Sequence, residues 1–167
     1  MRRTAPAGSL PAAHLKLSLI ENEYNFLNQS LKHYKKTSRN VHEWPFALLH
    51  LTQSIELMLK QRLSEIHPLF IFEDIDHPKN TVSLEQALSR LEAAGVVVGD
   101  KGKVNIRRAT KYRNLVVHYE FELNKFEWKE IYAQLFEFIH FFHHEHLKGE
   151  LHSRIARENF AVEARLM

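Results

Sequence analysis

The sequence predicts an all-α protein, an antiparallel bundle of five to six helices. Apolar residues recur at three- and four-residue steps along most of the chain, which is the spacing of a helix face. Only 5 Gly and 5 Pro occur among 167 residues, too few for a turn-rich β-sandwich. With 44% apolar residues, a chain of this length can bury the core of one domain. We therefore expect residues 1–13 to form a disordered N-terminal arm and residues 14–167 to form a single helical domain.

Apolar stripes predict the first two helices. One helix spans residues 14–36, and the other runs from about Glu43 to just before Pro68, with Pro45 suited to its first turn. The stripe of the first comprises Leu17, Ile20, Tyr24, Leu27 and Leu31. The stripe of the second comprises Leu48, Leu51, Ile55, Met58 or Leu59, and Leu63.

Loop signals surround a short third helix. Residues 69–80 mix aromatic, acidic and proline residues, which favours a loop that partly packs on the bundle. Ser83 and Gln86 match a capping box, and Gly95 is a stop signal just after the predicted helix. Residues 96–98 are three valines with no second strand to pair with, so we expect a loop there.

Three further helices complete the predicted bundle. The fourth begins near Val104 or Asn105 and ends at His118, and the fifth spans residues 125–146. A last helix over residues 150–165 follows Gly149, and its apolar face could dock on its own bundle or on a partner chain.

Composition excludes several classes of protein. The chain has no cysteine, which excludes disulfide scaffolds, cysteine catalysis and thiolate metal sites. No apolar stretch approaches the roughly 20 residues that cross a bilayer, so no membrane association is expected. No apolar run follows the two arginines of the N-terminal arm, as it would in a signal peptide. We therefore expect a soluble cytoplasmic protein.

Positive charge is concentrated in one segment. The net charge is only +3, yet residues 101–118 hold six cations and no acid. The six are Lys101, Lys103, Arg107, Arg108, Lys111 and Arg113. Such a run is either a solvated helix face or a patch that faces phosphate groups.

The end of this segment carries the residues best suited to chemistry. Asn114 and His118 are four residues apart and share a helix face, whereas Arg113 lies about 140° around the helix from His118. A guanidinium binds phosphate through two parallel hydrogen bonds, and an imidazole exchanges protons near neutral pH. Because RNA supplies its own nucleophile in the 2′-OH, arginine and histidine suffice for cleavage without a cofactor. The alternative is an arginine at the core edge and a histidine that caps carbonyls at the helix end.

The string Arg113-Asn114-x-x-x-His118 resembles the Arg-x(4 to 6)-His signature of the HEPN (higher eukaryotes and prokaryotes nucleotide-binding) superfamily. Residues 53–60 are similar to the Ala-x-Glu-Leu-x-x-Lys segment of an earlier HEPN helix, with Ser54 where a small residue is common. The order of these two helices also fits, and the resemblance covers residues 44–142.

The resemblance implies a HEPN-like helical domain over residues 14–167 that forms a homodimer with the signature helices facing one cleft. Many members are metal-independent endoribonucleases of toxin–antitoxin, phage-defence or RNA-processing systems, so RNA and a cognate antitoxin are the implied partners. Arg113 would hold the scissile phosphate, His118 would act as general base or acid, and Asn114 would orient either one. In some toxins a partner enzyme modifies a tyrosine two residues beyond the histidine, but Glu120 occupies that position here.

Further residues are assigned supporting roles. Glu56 either pairs with Lys60 one turn away or stands near the cleft and pairs with Arg113. Tyr119 could stack on a base, and we expect the neighbouring cations to bind RNA. These cations are Lys103, Arg107, Arg108 and Lys111.

Two alternatives stay open. The chain could be a non-catalytic HEPN-like module that binds RNA, a nucleotide or a protein. It could also be a metal-dependent hydrolase built on the histidines that end the fifth helix, namely His140, His143, His144 and His146. A metal site is disfavoured because the sequence lacks a His-Glu-x-x-His motif and a clear third ligand, so a solvated, pH-sensitive helix end is the preferred interpretation.

Overall fold

A computed structural model describes residues 18–118 and 124–167, and it confirms the all-α helical bundle. The helices are α1 (Leu19–Lys36), α2 (Trp44–Ile66), α3 (Leu84–Ala93), α4 (Asp100–His118), α5 (Lys125–His146) and α6 (Phe160–Leu166). Short 3-10 helices lie at Val41–Glu43, Pro68–Ile71, Leu151–Arg154 and Arg157–Asn159. Within the described residues, β-pairing is limited to an isolated bridge between Phe72 and Thr81. The predicted arm, residues 1–13, lies outside them.

Helix α2 lies at the centre of the bundle and packs against α1, α3, α4 and α5. It is central because apolar and small residues occupy most of its circumference, and eleven of its residues are buried. The fully buried apolar residues of α2 are Ala47, Leu48, Leu51, Ile55, Met58, Leu59 and Leu63. None of the helices in the described ranges combines the length and the apolar character that crossing a bilayer requires.

Helix starts are fixed by side chains that satisfy the free backbone N–H groups of the first turn. Ser18 and Glu21 form a capping box at the start of α1, and Ser83 and Gln86 form the predicted one at the start of α3. A third box at Asn124 begins α5, which has the predicted bounds.

Helix α4 begins earlier than the sequence predicts, at Asp100 rather than near Val104 or Asn105. Its first turn contains Gly102, which resembles a turn residue in the sequence. In the structure a Cβ at Gly102 would lie 2.9 Å from Val98 and 3.0 Å from Phe138. The glycine therefore serves the close approach of α4 to α5 and does not mark a turn.

The predicted last helix over residues 150–165 is wrong in its first half. Two 3-10 turns and an extended backbone at Ile155 and Ala156 precede the short helix α6. Asn28 of α1 explains the difference, because its side chain accepts from the Ala156 N–H at 2.7 Å and donates to the Arg154 carbonyl at 3.0 Å. Because Asn28 supplies hydrogen-bond partners to this N–H and this carbonyl, the segment does not need helical hydrogen bonds to satisfy them.

Side-chain pairs show how the helices are oriented. Helices α4 and α5 are antiparallel, and so are α1 and α5. Helices α1 and α4 therefore end where α2 and α5 begin, and we call this side of the bundle the Trp44 end. The pairs are Lys101 with Glu137, Asn105 with Gln134, Glu23 with His143, and Ser30 with Tyr132.

Candidate functional site

The second half of α4 lies outside the core. The buried residues of α4 are Gly102, Asn105, Ile106 and Ala109, and residues 110–118 are half-buried or exposed. The first half of the helix packs on α2, α3 and α5, whereas the second half presents its polar residues to solvent at the Trp44 end.

The three residues predicted to perform chemistry lie on this exposed half. Arg113 and His118 are exposed and Asn114 is half-buried. The Arg113 Nη1 lies 3.5 Å from the Asn114 Oδ1, at the outer limit of a hydrogen bond. Arg113 therefore keeps its guanidinium available to a ligand. Tyr119 lies outside the described residues.

Two of the predicted RNA-binding cations are exposed on α4 near these three residues. Arg107 and Lys111 are exposed, and they fall with Asn114 and His118 within about 60° of one helix face. The ammonium of Lys111 also lies 5.8 Å from the ring centre of its neighbour Tyr112. We call Arg107, Lys111, Arg113, Asn114 and His118 the α4 strip.

The other cations of the segment contact neighbouring helices. Lys103 pairs with Glu92 of α3 at 2.5 Å, and this hydrogen bond, reinforced by the carboxylate charge, raises the pKa of Lys103. Arg108 donates to the side-chain oxygen of Gln134, and Lys101 pairs with Glu137 at 2.8 Å. Lys103 or Arg108 would have to share or exchange these bonds in order to contact RNA, and such contact stays a prediction.

Arg107, Lys111 and Arg113 have no acidic partner within 4 Å among residues 18–118 and 124–167. Their charges are therefore not cancelled by neighbouring side chains of the described ranges. The part of the basic segment that is best placed to bind phosphate is the part nearest to His118.

Glu56 has a partner other than Arg113. Its carboxylate accepts a hydrogen bond from Lys60 Nζ at 2.6 Å, and the same ammonium donates to Thr81 Oγ1 at 2.9 Å. Lys60 is 5% exposed, so Glu56 compensates a buried charge that also anchors the loop before α3. Of the two interpretations of Glu56, the pair within α2 is present, and no ion pair with Arg113 occurs in the part of the chain that the structure describes.

The histidines at the end of α5 contact separate groups. His143 is buried, His140 is half-buried, and His144 is exposed. Burial lowers the pKa of His140, against the opposing charge of Glu163. The nearest groups are Glu163 to His140 at 3.3 Å, Glu23 to His143 at 3.3 Å, Glu145 to His144 at 3.8 Å, and the Val97 carbonyl to His146 at 3.0 Å. Across the described ranges, no three metal-ligating side chains are placed to hold an ion.

A buried polar network was not predicted from the sequence. Glu23 is fully buried, and its carboxylate accepts from Ser54 Oγ at 2.9 Å and lies 3.3 Å from His143 Nε2. A sequence signal exists, because Glu23 lies three residues after Ile20 and four before Leu27 on the apolar stripe of α1. The network joins α1, α2 and α5 at the end of the bundle away from the α4 strip, so its role is structural.

No protein-family model, curated protein or solved structure matches this chain.

Proposed function

We propose that the protein is a metal-independent endoribonuclease of HEPN type that acts as a homodimer. The observation that supports this most is the placement of Arg113, Asn114 and His118 on the solvent-facing half of α4, outside the core. Arg107 and Lys111, both exposed on the same helix, provide positive charge that attracts a phosphate backbone. The proposal places the protein in the cytoplasm as a toxin, a defence nuclease or an RNA-processing enzyme. If it is a toxin, a cognate antitoxin is a further partner.

The proposed chemistry needs only protein side chains. The imidazole of His118 takes the proton of the 2′-OH, and the 2′ oxygen then attacks the adjacent phosphorus. The bond from phosphorus to the 5′ oxygen breaks, the leaving oxygen takes a proton from water, and the hydroxide so formed takes up the proton held by the imidazolium. The guanidinium of Arg113 holds the negative charge that develops on the phosphoryl oxygens, while Asn114 orients the phosphate. The products are a 2′,3′-cyclic phosphate and a free 5′-OH.

The separation of Arg113 and His118 on α4 supports a site that two copies share. Arg113 and His118 point about 140° apart on one helix, so one copy presents both heads to the same phosphate poorly. With two α4 ends side by side, the guanidinium of one copy faces the imidazole of the other. Apolar surface near the strip supports such a contact, since Val117 is 50% exposed and Phe126 is 84% exposed.

The same separation of Arg113 and His118 favours a second candidate, a non-catalytic module that binds RNA. In that case the cations of the α4 strip hold the phosphate backbone, and no proton is transferred.

Incubation of the purified protein with mixed single-stranded RNA in the presence of EDTA tests the proposal. We expect cleavage to a cyclic phosphate, reduced about 10²- to 10³-fold in Arg113→Ala and about 10²- to 10⁴-fold in His118→Ala. The matched controls Arg157→Ala and His144→Ala remove exposed residues of the same types elsewhere and should cleave as the wild type does. Full cleavage by both site variants would refute the assignment, and salt-sensitive binding without cleavage would favour the non-catalytic module.

A further inference from the structure

A second group of cations lines a groove at the C-terminal end of α1. The groove has a volume of about 700 Å³ and lies between the end of α1 and the segment that leads into α6. Its cations are Lys32, Lys35, Lys36, Arg39 and Arg165, and its acids are Glu43 and Glu158. We call this feature the α1 groove.

Both acids of the α1 groove already have partners. Glu158 pairs with Lys32 at 3.1 Å. Glu43 accepts a hydrogen bond from His33 at 2.6 Å, and this bond lowers the pKa of the Glu43 carboxyl. The four remaining cations are exposed and have no acidic partner within 4 Å in the described ranges; they are Lys35, Lys36, Arg39 and Arg165.

Helix capping does not account for these cations. Basic residues often follow a helix because they can bind its last carbonyl groups. Here the carbonyl of Tyr34 accepts from the Thr37 hydroxyl at 2.7 Å, and that of Lys35 accepts from the Ser38 hydroxyl at 3.2 Å. The carbonyl of Lys36 accepts the N–H groups of residues 39 and 40. The last carbonyl groups of α1 are therefore satisfied without the lysine and arginine side chains.

The α1 groove lies at the same end of the bundle as the α4 strip. The ring of Tyr34, at the end of α1, lies 4.6 Å from the ring of Tyr132 and 5.3 Å from that of Trp44. Trp44 in turn stacks on Trp128 in the first turns of α5, with 6.2 Å between the ring centres. Because α5 begins seven residues after His118, both groups of cations lie at the Trp44 end.

We propose that the α1 groove binds the phosphate backbone of the same RNA strand that the α4 strip contacts. This inference rests on the proposed function for the identity of the partner. Phosphates that repeat along one strand can contact two separated groups of cations at once, which a single small anion cannot do. Because lysine and arginine contacts to phosphate carry no base information, the groove strengthens binding without selecting a sequence.

The test measures the affinity of a labelled single-stranded RNA of mixed sequence over a range of salt concentrations. The full chain carries His118→Ala throughout, so that the RNA stays intact. Lys36→Gln/Arg39→Gln is compared with Lys79→Gln/Lys148→Gln, which removes two exposed lysines elsewhere. Loss of two phosphate contacts should reduce the slope of log K against log salt by about 1.4, and binding at about 0.1 M salt should weaken roughly tenfold or more. The unfolding midpoints of all variants are measured alongside.

The groove proposal would be overturned if the two double variants bound RNA with equal affinity and equal salt slope. It would also be overturned if poly-glutamate displaced the labelled RNA as effectively as unlabelled RNA of equal charge. The two proposals fail separately. If the active protein cleaves RNA while the Lys36/Arg39 variant binds normally, only the groove proposal fails. If no RNA is cleaved but the groove variant loses binding, the nuclease proposal fails and the groove proposal stands.

Discussion

Replacing His143 with leucine should strongly destabilise the bundle. Glu23 is fully buried and His143 is 2% exposed, so the replacement removes one of the two side-chain partners of a carboxylate that water cannot reach. Leaving a buried polar group without one of its hydrogen-bond partners costs about 1–3 kcal/mol of unfolding free energy, and more where the group is charged. Urea unfolding followed by circular dichroism at neutral pH measures this difference.

A double replacement separates this effect from lost packing. Glu23→Met/His143→Leu removes the carboxylate together with its partner, so the unfolding free energy should return to within about 1–2 kcal/mol of the wild type. The Ser54 hydroxyl then bonds to a backbone carbonyl one turn earlier in α2. The matched control His144→Leu changes an exposed histidine and should alter the free energy by no more than about 0.5 kcal/mol.

Two results would refute this reasoning. A loss below about 1 kcal/mol in His143→Leu would mean that Glu23 does not depend on the imidazole. If the double variant lost as much unfolding free energy as Glu23→Met and His143→Leu lose together, the two side chains would act independently.

Three further predictions concern single residues. Burial lowers the pKa of His50 in the folded protein. The neutral imidazole therefore makes its full contribution to stability above the unfolded-state pKa of about 6.5, and this contribution is lost as the pH falls towards the folded-state pKa. His50→Gln should therefore lose less stability than the wild type on acidification, and equal thermal unfolding shifts over a pH series would contradict this. Gly102→Ala should lower the unfolding free energy by about 0.5–2 kcal/mol, since crowding against Phe138 outweighs the gain in helix propensity; a stabilised protein in urea unfolding would show that the neighbours yield. Asn28→Ala should speed limited proteolysis near Ala156, whose N–H loses its acceptor, and unchanged cleavage there would remove the assigned role of Asn28.

Local signals allowed part of the fold to be predicted. Helix α3 follows from Ser83 and Gln86, and α5 has the predicted bounds, because caps and apolar stripes act within one element. The start of α4 and the break before α6 depend on contacts between distant segments. Gly102 is helical because Phe138 packs against it, and the backbone near Ala156 is extended because Asn28 bonds to it. Neither contact is visible in local sequence.

The candidate site was also predictable only in part. The sequence shows the cations of residues 101–113, but it does not show which of them have partners. Helices α3 and α5 place Glu92 beside Lys103 and Gln134 beside Arg108, so packing divides the cations into those with a side-chain partner on another helix and those without an acidic partner in the described ranges. The α1 groove depends likewise on tertiary structure, because Arg165 comes close to α1 only when the C-terminal segment folds back.

In the proposed dimer, each active site combines Arg113 of one copy with His118 of the other. Arg113→Ala and His118→Ala are purified separately, shown to be inactive, and then mixed under conditions that allow subunits to exchange. Random exchange makes about half of the dimers mixed, and each mixed dimer has one intact site, so about a quarter of the wild-type RNA cleavage should return. Mixing Arg113→Ala with the double variant Arg113→Ala/His118→Ala should restore nothing. If the complementary mixture stays as inactive as its components, the shared site is contradicted.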